Sequence, residues 1–124
     1  MNQIVFFGSS PFSVVVLEKV LKAQISVLNV ITTPDTPVGR HLKLTPNPVK
    51  LLAQKHQVPV FDDIKKYLEW SKSQDLAKAI GISVAYKKII GPKTRASLNN
   101  RVYNIHPSLL PKYRGPSPLQ FQIL

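Results

Sequence analysis

Asn104 and His106 stand two positions apart at the head of the stretch Asn-Ile-His-Pro-Ser-Leu-Leu-Pro-Lys-Tyr-Arg-Gly, residues 104–115. Successive side chains of an extended strand alternate faces, so an asparagine and a histidine at this spacing project side by side. The amide and the imidazole both carry N–H donors. Aimed at a carbonyl that becomes tetrahedral, such donors stabilise the developing oxyanion by about 3–4 kcal/mol each. No convincing nucleophile stands beside them. The imidazole would therefore polarise a carbonyl or move a proton while the attacking group arrives on the substrate. Acyl or one-carbon transfer fits those roles. The plain alternative is a hydrogen-bonded surface histidine at a strand end.

The elements that would hold this pair can be read along the chain. Gln-Ile-Val-Phe-Phe is a short apolar run ending at Gly8, and a helix follows with Ser10 as its cap and Pro11 at its first position. Ile25–Thr32 is a second β-branched run. Strand, helix and strand in this order form a βαβ unit, and strands apolar on both faces belong to a parallel sheet covered by helices. Thr33–Lys50 is a proline-rich loop too long to be a mere connector, with Thr45 expected to cap a helix opened by Pro46. Val58–Phe61 reads as a third strand, and Asp62 and Asp63 then open a helix whose macrodipole favours them as caps. Ile80–Tyr86 is a fourth strand, a short helix opens at Pro92, and Arg101–His106 is a fifth strand. Ser117 and Pro118 are expected to start a last helix that runs to Leu124. The fold class is α/β, a Rossmann-like parallel sheet with helices on both faces, incomplete at its C-terminal edge. Ligand sites in such sheets lie beyond the carboxyl ends of the strands, where Asn104 and His106 fall. Gly-Ser-Ser-Pro, residues 8–11, is a weak phosphate-loop candidate, because it lacks the G-x-G-x-x-G spacing.

A chain of 124 residues is one domain, long enough to bury roughly two thirds of its unfolded surface. It has no cysteine, which excludes disulfides, thiolate metal sites and a cysteine nucleophile, and no metal site is expected. No stretch reaches the roughly 18 apolar residues of a membrane span, and the N-terminus lacks a basic leader, so a soluble cytoplasmic protein with no membrane partner is expected. Seventeen Lys and Arg against six Asp and Glu give a net charge of +11, and no acidic residue follows Asp75. That field favours an anionic partner, a nucleic acid or a polyglutamate tail.

Three segments in order carry a resemblance. Asn104–Gln120, with its Asn-x-His and Ser-Leu-Leu-Pro, looks like the catalytic strand and loop of the folate-dependent formyltransferases; Phe6–Leu21 is similar to the opening of that family. Pro34–Phe61 resembles the methionyl-tRNA formyltransferase branch, whose loop reads P-D-x-P-x-G-R-G-K-K-L followed by P-S-P-V-K. The resemblance implies formyl transfer from 10-formyltetrahydrofolate to the amine of methionyl-tRNA. Carried over by position, Asn104 and His106 would stabilise the oxyanion, and His106 would shuttle a proton. Ser108, Leu109, Leu110 and Pro111 would line the cleft, Val84, Ala85 and Tyr86 would wall the pterin pocket, and Arg40 and Lys43 would reach tRNA phosphates.

Departures from the pattern bear on this expectation. His41 and Leu42 stand where the family usually has Gly and Lys, and Lys87 follows Tyr86 where a glycine is usual. The family's third catalytic residue, an aspartate in a D-x-G-x-D-T-G segment, comes after the last helix, as does the C-terminal tRNA-binding barrel. The sequence therefore reads as a single truncated N-terminal formyltransferase domain over residues 1–124, with weak or lost turnover and an uncovered sheet edge through which two copies would pair. A noncatalytic folate- or tRNA-binding module is the second reading. An amino-sugar formyltransferase fragment is the third.

Overall fold

The computed structural model describes residues 3–107 and 119–124. Eight strands and four helices are present among them, in the order β1 Gln3–Gly8, α1 Pro11–Lys22, β2 Ser26–Ile31, β3 Thr36–Val38, β4 Lys43–Thr45, α2 Pro48–Lys55, β5 Val60–Phe61, α3 Ile64–Ser71, β6 Ala79–Val84, α4 Pro92–Ser97, β7 Val102–Pro107 and β8 Leu119–Ile123. Six strands make one sheet in the order β5-β2-β1-β6-β7-β8, and β3 pairs with β4 in a separate hairpin. The first five are mutually parallel, whereas β8 runs antiparallel to β7. β1 is central and apolar from Ile4 to Phe7, with Val5, Phe6 and Phe7 fully buried. Its alternate residues feed two cores. Ile4 and Phe6 pack with Val16, Leu17, Val49 and Ala53 under α1 and α2, and Val5 and Phe7 pack with Tyr67, Leu98 and Val102 under α3 and α4. Two-sided burial explains why the strand sequences are continuous apolar runs rather than alternating ones.

Local chemistry sets where the helices begin. Pro11, Pro48 and Pro92 each occupy a first-turn position, where the missing N–H would be unsatisfied in any case. Asp63 caps α3 by accepting from the Lys65 N–H at 2.9 Å, the capping role expected for an acid at that helix start.

Three expectations need correction. Asn47, not Thr45, caps α2, accepting from the Lys50 N–H at 2.9 Å; Thr45 lies in β4. The stretch taken as a plain loop holds a hairpin pairing Thr36 with Thr45 and Val38 with Lys43. Gly39 at φ 83° and Leu42 at φ 50° supply the left-handed turn residues, and Pro37 is tolerated because a two-stranded ribbon leaves every strand an edge. Finally, Leu119–Ile123 is a strand rather than a helix. Its Leu-Gln-Phe-Gln-Ile alternates apolar and polar at period two, a strand signal that Ser117 and Pro118 masked. Ser117 and Pro118 lie outside the described residues.

Candidate functional site

The chain winds from β1 through β2 to β5 on one side and from β6 to β7 on the other, so the strand order reverses between β1 and β6. Neighbouring loops diverge at such a point, and the crevice they open is where doubly wound sheets bind ligands. The loops after β1 and β6 are stitched together there: Ser9 Oγ donates to the Ala85 carbonyl at 3.2 Å and accepts from the Lys87 N–H at 3.0 Å. Beneath them Ser13 Oγ accepts from the Ser9 and Ser10 N–H groups, both at 3.2 Å, and donates to the Val84 carbonyl. The start of α1 can approach the sheet this closely only because residue 8 is glycine. A Cβ there would lie 2.6 Å from Ser13 Cβ and 2.9 Å from a Phe6 ring carbon. The two serine amides are thus engaged by a hydroxyl of their own helix, which leaves residues 8–11 poorly suited to cradle a phosphate.

β7 carries the expected pair. Val102 lies in the core under α3 and α4 and Ile105 in the opposite core, so Asn104 and His106 share the α4 face. Asn104 Nδ2 and His106 Nε2 are 2.6 Å apart. With the amide nitrogen as donor, Nε2 is the acceptor and the ring proton sits on Nδ1. His106 is exposed, and half-buried Asn104 lines a cleft of about 370 Å³ with Ser83, Tyr86, Ile89, Arg95 and Leu124. β7 is flanked by β6 and β8, so the pair rises from within the sheet and not from its margin.

A second, larger cleft of about 870 Å³ opens between α3 and α4. Lys66, Lys88 and Lys93 line it together with Asp62, Asp63 and Ile89. Tyr86, Lys88 and Ile89 border both clefts, so the loop after β6 forms the wall where the two meet. Tyr86 is steadied by an edge-to-face contact with Phe7, ring centroids 5.7 Å apart, and burial pushes its phenol pKa up. Ile89 is 94% exposed, an apolar side chain offered to whatever enters.

The remaining expected residues fall in different settings. Val84 is fully buried in the core under α1, so only its backbone faces the site. Ala85 is exposed and holds φ 47°, a left-handed conformation that favours glycine and that turns its carbonyl toward Ser9. Lys87 is exposed. Arg40 and Lys43 are exposed on the β3–β4 hairpin and line neither cleft, although Pro34 just before the hairpin lines the larger one. Ser108, Leu109, Leu110 and Pro111 lie outside the described residues. Ser9 enters the sequence reading only as part of the weak phosphate-loop candidate, and Lys88, Ile89 and Arg95 escape it. They carry no motif, and only the strand order brings their loops to the tip of β7.

The sequence model of the formyl transferase family matches residues 1–124. Methionyl-tRNA formyltransferase of Thermotoga sp. strain RQ2 is 43% identical over 122 residues, covering 95% of this chain and 38% of that protein. The enzyme of the same name from Lactobacillus acidophilus is 36% identical over 126 residues, covering 100% of this chain and 40% of that protein. The chain thus spans roughly two fifths of the length of these relatives. Among solved structures, glycinamide ribonucleotide transformylase 1 from Geobacillus kaustophilus aligns with a TM-score of 0.62 at 20% identity, over 94% of this chain and 63% of that one. Phosphoribosylglycinamide formyltransferase from Bacillus halodurans aligns with a TM-score of 0.57 at 22% identity, over 92% and 60%. At that identity the structures bear on the fold alone, and the fold agrees. An Asn-x-His pair at the tip of an inner parallel strand, on a sheet of this topology, matched from first residue to last, puts the chain in the formyl transferase family.

Proposed function

We propose that these residues form the donor-binding and oxyanion-stabilising part of a methionyl-tRNA formyltransferase, which moves a formyl group from 10-formyltetrahydrofolate to the amine of methionine on initiator tRNA. The observation that carries the reading is the 2.6 Å contact of His106 with Asn104, which lines the smaller cleft. In the proposed reaction the amine attacks the formyl carbon, and the carbonyl oxygen takes up negative charge. The Asn104 amide hydrogens stabilise that charge, and the imidazole, with Nε2 unprotonated, takes up the proton lost by the amine, donates to the oxyanion while charged, and delivers the proton to the departing folate nitrogen. Collapse of the tetrahedral adduct returns tetrahydrofolate and the formylated amine. The names of the curated relatives support this acceptor and, with it, a role in translation initiation.

The two adjoining clefts suit a ligand with an aromatic head and an anionic tail. The head would lie against Tyr86 and Ile89 near Asn104, and the tail would lie among Lys66, Lys88 and Lys93. Whole-protein activity belongs to a chain more than twice as long, and the family's aspartate belongs to a segment outside these 124 residues.

Calorimetric titration with 10-formyltetrahydrofolate tests it, run on the chain and on Asn104→Ala and His106→Ala. Saturable binding, weakened in the variants, is the expected result. No heat of binding at millimolar folate overturns the donor-site assignment. Salt-sensitive tRNA binding with indifference to folate would instead favour a noncatalytic RNA-binding module.

A further inference from the structure

The β3–β4 hairpin leaves the body of the protein at Thr33 and returns at Asn47, and it is exposed along its whole length. Its neck is more elaborately bonded than a helix cap requires. Asn47 Oδ1 caps α2 by accepting from the Lys50 N–H at 2.9 Å. The nitrogen of the same amide reaches across the neck to Thr32 Oγ1 at 2.7 Å, to the Thr33 carbonyl at 3.1 Å and to Thr33 Oγ1 at 3.2 Å. Two residues beyond Thr33 and three beyond Asn47, Lys50 Nζ is 3.0 Å from Asp35 Oδ1, and both partners are partly buried. The end of β2, the start of the hairpin and the start of α2 are thereby tied at one point. Asn47 stands where the resembled loop usually has serine, and a serine hydroxyl could keep the cap but carries only one hydrogen to donate.

We propose that Asn47 is a positioning residue: it clasps the neck of the hairpin and fixes the angle at which Arg40 and Lys43 are held out. The proposal rests on the reading of those cations as an RNA-contacting pair, and it deepens that reading by saying what aims them. A hairpin of two three-residue strands has too little pairing to hold its own orientation, and an isolated two-stranded ribbon is marginal in water. Without the clasp the same charges would be presented from a wider range of orientations, and binding would have to order them. Affinity would fall while the number of phosphate contacts, and hence the salt dependence, stayed the same.

Two substitutions separate clasp from cap. Asn47→Ser and Asn47→Asp both keep an acceptor for the Lys50 N–H, and both lose the amide donors. Amide hydrogen exchange of hairpin residues 36–45 and of α2 is measured in the chain and in both variants, alongside the affinity of Asn47→Ser for uncharged tRNA over a series of salt concentrations. The expected result is faster exchange in the hairpin with α2 unchanged. Binding by Asn47→Ser should weaken about three- to tenfold at an unaltered salt slope. Hairpin exchange that stays the same in both variants overturns the clasp, whatever tRNA does. If exchange rises as expected but Arg40→Ala and Lys43→Ala bind tRNA as the parent does, the clasp stands and the RNA reading of the hairpin fails.

Discussion

Tyr67 shows how a single side chain's protonation state is built into the core. It is fully buried, and its hydroxyl lies 2.9 Å from Ser97 Oγ. Ser97 directs its own hydrogen to the Thr94 carbonyl, so the phenol is the donor and must stay protonated. Burial raises its pKa above the ordinary 10.0. A raised folded-state pKa means that above pH 10 the unfolded chain loses this proton before the folded one does. Unfolding then binds fewer protons, and stability falls as pH rises past 10. Urea melts between pH 8 and 11 should show that decline, reduced in Tyr67→Phe. At neutral pH the same variant should lose about 0.5–1.5 kcal/mol for the missing hydrogen bond. Asn104 and His106 form another close side-chain pair, and its residue types and spacing were enough to foresee that the two side chains would meet. What they could not foresee was the company of Ser83, Ile89 and Arg95, which comes from other loops.

Among the elements, the junction of β1 and α1 bears most directly on the site. Gly8→Ala would drive a methyl into Ser13, whose hydroxyl holds the Ser9 and Ser10 amides and the Val84 carbonyl. Overpacking of this kind costs about 1–3 kcal/mol. Thermal and urea denaturation should register that loss, and loosening of Ser9 should also raise the exchange rate of the Lys87 amide. The parallel strands were legible because burial on both faces writes continuous apolar runs, and the helix starts were legible because Ser10, Pro11, Asp63 and Pro92 are strong start signals. The hairpin was not, since its three-residue strands are exposed and carry a proline, and neither burial nor propensity marks them. At Leu119–Ile123 two rules conflicted. Pro118 suggested a helix start, but the two-residue alternation matches the pairing seen with β7.

At the scale of the whole molecule, a net charge of +11 and the exposed Arg40 and Lys43 predict tRNA binding that weakens linearly in log K against log salt, with each of these cations lost lowering the slope by about 0.7–0.9. Filter binding or fluorescence anisotropy across a salt series would show it. A slope near zero would mean that the charge serves solubility instead. No helix among the described residues is long and apolar enough to cross a membrane.

The account depends above all on an amide and an imidazole that together face a formyl group, and the His106 ring nitrogens report on both partners at once. In nitrogen-15 NMR of the imidazole, the account predicts Nε2 as the unprotonated acceptor in the free protein, a ring shift that saturates as 10-formyltetrahydrofolate is added, and a changed free-protein spectrum in Asn104→Ala. A ring spectrum indifferent both to folate at saturation and to removal of the Asn104 amide would contradict it.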